Sequence, residues 1–173
     1  MQAAKQIARR AIGLLFGQIL YSHVYIYRSR PSDPPPGPAV ESETLPNGRT
    51  HFAIREDGRL LCECYFISGS AYRDRFPRPL RESEAVLVRL LTHPEARGRG
   101  LAPHLIAQAS AAMTARGHDR LFAMIWHNNE PSKRAFRKAG WGLHARHLTL
   151  RCSSRRRIDL VWPKMTRGRT GRN

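Results

Sequence analysis

The sequence predicts a mixed α/β fold, a mostly antiparallel central sheet flanked by helices, and three observations predict it. A short leucine-rich, β-branched run over residues 85–92 passes through Arg97-Gly98-Arg99-Gly100-Leu101-Ala102 into a helical pattern, in which Leu101, Leu105, Ile106, Ala109, Ala112 and Met113 recur at three- and four-residue intervals. A second apolar run, 121–126, leads into another helical segment, 133–139, which Gly140 closes as a left-handed cap. Around these units, short alternating runs are separated by turn signals.

Taken in order, residues 11–27 carry no charge and follow Lys5, Arg9 and Arg10, a pattern that resembles a signal anchor. The stretch sits at the short limit for spanning a bilayer, and Gly13, Gly17, Gln18, Ser22 and His23 interrupt it. A docked helix over 2–20 followed by a strand over 23–28 divides it better; a basic helix lying on a membrane is the alternative. Pro31 to Pro38 form a stiff connector, and 39–45 hold barely one short helix. Asn47-Gly48 marks a turn, 50–55 and 59–68 form a hairpin around Glu56-Asp57-Gly58, and a third strand starts near Glu84. Residues 143–150 and 158–162 form a final antiparallel pair. The expected division is an N-terminal helix and strand (1–30), a proline-rich connector (31–49), a core (50–162) and a basic tail (163–173).

A chain of 173 residues supports one domain with a real core. Its three cysteines suit neither a disulfide framework nor a four-ligand zinc site, and His144 and His147 are too isolated to argue for metal. Cys62 and Cys64 lie two apart in a strand, so they point to one face as buried reduced thiols, with a redox or catalytic thiol as the alternative. A reducing cytoplasm is the expected compartment, with membrane association through the N-terminal segment as a variant. The net charge of +17 suits a phosphate-bearing ligand in part. The remainder is a solvated basic surface or a contact with RNA, ribosome or anionic membrane, although no nucleic-acid motif accompanies it.

The strand–glycine loop–helix unit is an anion cradle. Glycines let the backbone curl close to a ligand, while unpaired N–H groups and the helix dipole attract phosphate. Pro103 fits the first helical turn. The bare alternative is a tight turn with no ligand. Neither the P-loop nor the dinucleotide pattern is present; what fits is [Q/R]-x-x-G-x-[G/A], met by Arg97, Gly100 and Ala102. Asn129 reads both as a helix N-cap, with Pro131 in the first turn, and as part of a ligand site.

With His93-Pro94-Glu95-Ala96 before the loop, and Asn128-Asn129-Glu130-Pro131-Ser132 running through Phe136 to Gly140-Trp141 after it, the chain resembles the GNAT superfamily of N-acyltransferases over residues 50–162. The resemblance implies the acyl-CoA N-acyltransferase fold, acetyl-coenzyme A as co-substrate without metal, and a small-molecule or protein amine as acceptor. It assigns cofactor binding to Leu91, Thr92, Arg97, Gly98, Arg99, Gly100, Leu101, Ala102, Asn129, Ser132 and Phe136. It implies direct attack by a neutral amine, with a backbone N–H near residues 90–92 stabilising the oxyanion. Phe136 stands where the family often has a tyrosine acid, and phenylalanine cannot donate a proton. Glu84 is a candidate base by its strand, or simply a surface carboxylate. His127 is the other candidate, since imidazole titrates near neutrality, or it merely caps a turn. Tyr65 and Tyr72 are weaker candidates. The family's two helices between its first strands are missing, which implies an acceptor side that is open or completed by another chain. A catalytically weak coenzyme-binding or basic scaffold protein is the alternative function.

Overall fold

The computed structural model describes residues 16–28, 36–72, 76–152 and 157–163. In chain order these form β1 (Phe16–Arg28), β2 (Glu41–Thr44), β3 (Arg49–Glu56), β4 (Arg59–Ser68), β5 (Glu84–Thr92), α1 (Leu101–Ala115), β6 (Arg120–Trp126), α2 (Glu130–Lys138), β7 (Gly142–Cys152) and β8 (Arg157–Pro163). One sheet holds all eight strands in the order β2-β3-β4-β5-β6-β1-β7-β8. Every neighbouring pair is antiparallel except β5 and β6, which α1 connects as a crossover. The expected α/β class and the predicted strand–loop–helix units are present.

Two expectations are corrected. Residues 16–20 are strand rather than the end of a helix. They pair with β7 from Phe16↔Cys152 through Leu20↔Thr149, and β6 takes the other edge of β1 from Ser22 onward. The ladder to β7 continues the strand that β6 and β7 flank from Ser22 onward, so tertiary pairing overrides local propensity. The segment expected to hold an N-terminal helix and the first strand thus supplies a central strand; the part of the expected helix over 2–15 lies outside the described residues. The second correction concerns 39–45, where Glu41–Thr44 is a short edge strand on β3 instead of a helix. The Asn47-Gly48 turn forces this, because Gly48 at φ +74° and the Leu45 N–H donating to Arg49 O fold the chain back onto β3. The basic tail and most of the proline connector also fall outside the described residues. Among the described residues, no helix is long and apolar enough to cross a membrane.

The core has two layers. On the helix side Phe52, Ile54, Cys62, Cys64 and Phe66 meet Leu105, Ile106 and Met113 of α1, all nearly without solvent contact. Alternation of β3 and β4 and the 3.6-residue period of α1 bring these residues to one interface, and each large side chain contributes about 1.5–3 kcal/mol. Cys62 and Cys64 are free, and burial pushes both thiols above their usual range. On the far face a smaller cluster of Val24, Val86, Phe122 and Ala145 lies beneath Tyr72, Phe76 and Leu80.

Glu84 belongs to that far layer and is neither a surface carboxylate nor free to act as a base. It is 1% exposed at the start of β5, and Arg78 donates to both of its oxygens at 2.8 Å. The Arg81 backbone N–H donates to it at 3.0 Å, and Arg120 stands 3.8 Å away. Hydrogen bonding from Arg78 holds its carboxyl below the usual glutamate range, the Arg81 amide and the Arg120 charge assisting. The lowered folded-state value means that this stabilisation is present above the unfolded glutamate pKa of about 4.3 and is lost as the pH falls below it. Arg78→Met, which keeps the stem but strands the buried carboxylate, should destabilise the fold by roughly 3 kcal/mol at neutral pH. Denaturant titration from pH 7 to pH 4 should show the gap from the parent protein narrowing as Glu84 protonates; a gap constant with pH would contradict this account.

Candidate active site

The site starts from a defect in β5. Glu63 of β4 pairs with Leu91 and Tyr65 pairs with Val88, so one residue of β4 faces two of β5. Arg89 takes up the extra length at φ +49°, a conformation uncommon for a side-chain-bearing residue. A bulge of this kind bends and twists its strand. The ladder between β5 and β6 accordingly runs only from Glu84↔Arg120 to Leu87↔Ala123. Beyond it β6 continues along β1, as far as Ser22↔Trp126, and leaves β5 behind. The gap is a slot of about 380 Å³ between Val88–Leu90 and Met124–Trp126, with Tyr72 at one side and Asn129, Ser132 and Phe136 at the helix side.

The backbone of β5 is aimed into this slot. The His93 N–H donates to Leu61 O at 2.9 Å, so strand alternation turns the Leu91 amide toward β4 and those of Leu90 and Thr92 toward the open edge. An amide donor at such an opening is the arrangement that stabilises a developing oxyanion.

Above the slot lies a cavity of about 570 Å³. Leu91, Thr92, Arg97, Gly98, Gly100, Leu101 and Ala102 line it from the loop, and Ser132 lines it from α2. A turn at Pro94–Ala96 fixes the approach, with the Arg97 N–H donating to Pro94 O and its Nε to Thr92 O at 3.4 Å. Gly98 and Gly100 stand at φ +82° and +77°, and a Cβ added to either would meet nothing within 4 Å. The glycines are therefore required by backbone conformation, and the space above them is open. No side chain caps α1 at Gly100, so its first-turn N–H groups point toward the cavity uncompensated by the protein.

Arg99 departs from the sequence expectation. Its guanidinium makes a two-pronged contact with Glu56 at 2.7 and 3.1 Å, and it does not line the cavity. It ties the loop to the end of β3. Arg134 and Lys138, which the sequence reading did not single out, line the cavity instead. Spaced i, i+3 and i+7, Pro131, Arg134 and Lys138 share one face of α2, a signal present in the sequence but ambiguous without the helix's orientation.

The α2 start is ordered from within. Asn129 Oδ1 accepts the Ser132 N–H at 3.1 Å, the N-cap reading, while the same residue borders the slot. Lys133 is 6% exposed, donates to the His127 carbonyl at 2.6 Å and pairs with Glu130. His127 is exposed; its backbone N–H donates to Tyr21 O, and its Nδ1 lies 3.2 Å from the same carbonyl. A carbonyl only accepts, so Nδ1 carries a proton, and in the neutral ring the lone pair is on Nε2. Phe136 is 2% exposed and packs between Tyr25 and Trp141, with ring centroids at 6.2 and 5.0 Å. Tyr65 is tied to Glu63, its hydroxyl donating at 3.0 Å.

Among curated proteins none matches the chain significantly. Solved structures share its fold. One is a GNAT-family protein from Novosphingobium aromaticivorans DSM 12444, with a TM-score of 0.60, 20% identity, and coverage of 77% of this chain and 64% of that one. Another is a GNAT-family acetyltransferase from Colwellia psychrerythraea, with a TM-score of 0.59, 12% identity, and coverage of 85% and 62%. The chain spans just under two thirds of the length of these two neighbours. Aminoglycoside acetyltransferase AAC(6')-Ib, solved with coenzyme A and kanamycin, aligns with a TM-score of 0.51 and 13% identity over 68% of each chain. The family model of the acetyltransferase (GNAT) family matches residues 19–141, from the central strand β1 to the end of α2, and the chain belongs to that family.

Proposed function

We propose that this chain is an acetyl-coenzyme A dependent N-acetyltransferase that acts by direct attack of an amine. The observation that carries the reading is the join between cavity and slot. An anion cradle opens into a gap edged by strand amides that alternation turns away from β4, and Ser132 borders both spaces. The residues fit the co-substrate. The open space over Gly98 and Gly100, the uncapped α1 start and the cations Arg97, Arg134 and Lys138 suit its phosphates. Acetyl-coenzyme A supplies the acetyl thioester. Asn129 and Phe136 would border its arm, and Leu91 and Thr92 the shoulder of the loop.

The protein's contribution to the chemistry is positional. The Leu90 amide donates to negative charge developing at the slot. His127 is the proton acceptor proposed here, through Nε2 and one or more waters, because it follows Trp126 at the slot's edge with Nδ1 already committed. No hydroxyl stands at Phe136 to protonate the departing thiolate; that proton comes from solvent or from a hydroxyl lining the slot, Tyr72 or Ser132.

Two measurements test this. Calorimetric titration with acetyl-coenzyme A should give binding in about one-to-one ratio, retained in Gly100→Ala at a strain cost of about 1–2 kcal/mol in fold stability. Gly100→Asp, with a carboxylate in the cradle, should weaken binding by at least about tenfold more than Gly100→Ala; equal affinities would sink the loop assignment. His127→Gln should lower kcat/KM by about 10- to 100-fold at pH 7, with the deficit shrinking toward pH 10 as the amine deprotonates unaided. A pH-independent deficit would assign His127 a structural role.

A further inference from the structure

The slot passes through the sheet, and its far mouth leads to a strip of unusual charge. Alternation places Val24, Ile26 and Arg28 of β1, and Arg120, Phe122 and Met124 of β6, on the face away from the helices. Arg28 and Arg120 are directly opposite each other in that register. Like charges in facing positions are unfavourable unless an anion lies between them. Arg78 adds a third guanidinium, 5.3 Å from the centre of the Phe122 ring. His144 lies on the same spot, with its ring 6.1 Å from that of Phe122. Burial, and then the charges of Arg28, Arg78 and Arg120, hold this imidazole below its usual range, so it stays neutral among the three cations.

The two acidic side chains described beside the slot on this face are already committed. Glu84 is buried and taken by Arg78, and Glu63, 5% exposed, is held by His51, Tyr65 and Arg89. Arg89 itself is 67% exposed at the mouth of the slot. Three cations thus sit at one end of a partly exposed apolar strip of Ile26, Phe76 and Met124, with a single buried carboxylate among them. From Arg120 to Met124 the strip runs four residues of strand, about 13 Å. That length exceeds a small amino compound and matches about four residues of extended chain.

We infer that the acceptor is the amine of an acidic polypeptide segment, whose amine enters the slot beside Val88 and Met124 while carboxylates a few residues away reach Arg28, Arg78 and Arg120. This rests on the N-acetyltransfer reading above. The same charge pattern repels polycationic amines such as kanamycin, the compound bound in the AAC(6')-Ib structure.

The test uses the full chain with acetyl-coenzyme A and follows release of the coenzyme thiol. Three pentapeptides share one amino-terminal residue and carry acidic, amide or arginine side chains at their last three positions; free glutamate and kanamycin are assayed beside them. The acidic peptide should exceed the amide peptide in kcat/KM by about tenfold at low salt, mainly through KM, and the ratio should collapse at about 0.5 M salt. Arg28→Glu should bring the acidic-to-amide ratio to one or below, and Arg28→Lys should preserve it. An arginine peptide or kanamycin used as well as the acidic peptide would overturn the proposal. So would a ratio indifferent to Arg28→Glu, or free glutamate used as well as the peptide. Acetyl-coenzyme A binding is measured separately by calorimetry. Tight binding with no peptide turnover refutes this acceptor alone, whereas loss of binding refutes the transferase reading and the acceptor with it.

Discussion

The hydrogen-bond ladder between β5 and β6 closes over only four residue pairs, Glu84 to Leu87 against Arg120 to Ala123, and the rest of the molecule is arranged around the opening above it. Parting two neighbouring strands inside a sheet exposes amide and carbonyl groups that a continuous ladder would satisfy. The chain offsets this locally. The bulge at Arg89 turns β5 away while keeping its other edge on β4, and β6 finds a full partner in β1. Only the inner edge of β5 beyond Leu87 is left for a ligand. The Arg78–Glu84 pair, its carboxylate buried, sits at the closed end of the same ladder, where the two strands must stay together.

A strained residue persists only where its surroundings fix it. Arg89, at φ +49°, is held through its side chain by Glu63 at 3.4 Å and by the face of Tyr65 at 5.8 Å. The loop above the slot is fixed in a similar way, with Arg99 clamped to Glu56 and Arg97 turned back on Thr92 O. Across the opening Asn129 caps α2, and Lys133 fastens it to the His127 carbonyl. Polar contacts thus hold both walls in register without filling the space between them, which is what preorganisation of an anion and thioester site requires.

Much of this was legible in the sequence, for reasons that differ by element. The hairpin around Asp57-Gly58 and the α1 face of Leu105, Ile106 and Met113 follow from turn chemistry and periodicity, which are local. The glycine loop was legible because its backbone demands glycine at 98 and 100. β1 was only half legible: the strand over 23–28 shows in its alternation, but its extension to Phe16 depends on β7, more than a hundred residues away. The same limit governs side-chain fate. Arg99 and Glu84 sit at positions where the motif suggests a ligand or a base, yet their partners, Glu56 and Arg78, are fixed by tertiary geometry. Arg134 and Lys138 stayed hidden because an i, i+4 pair of cations on a helix does not say which way the helix faces.

Charge on the two sides of the sheet completes the argument. A net charge of +17 would ordinarily be spread as a solvating coat. Among the described residues part of it stands at both ends of one passage, with Arg97, Arg134 and Lys138 around the cradle and Arg28, Arg78, Arg89 and Arg120 on the opposite face. Buried glutamates hold part of that second group in place while adding little negative potential at the surface, because each is already paired. An amine approaching from that side must be neutral to attack, and a positive field favours its neutral form by disfavouring the ammonium. The arginines that select for anionic surroundings therefore also assist deprotonation of the nucleophile. A site of this kind has less need of a strong base, which accords with a β5 strand whose one carboxylate, Glu84, is already paired.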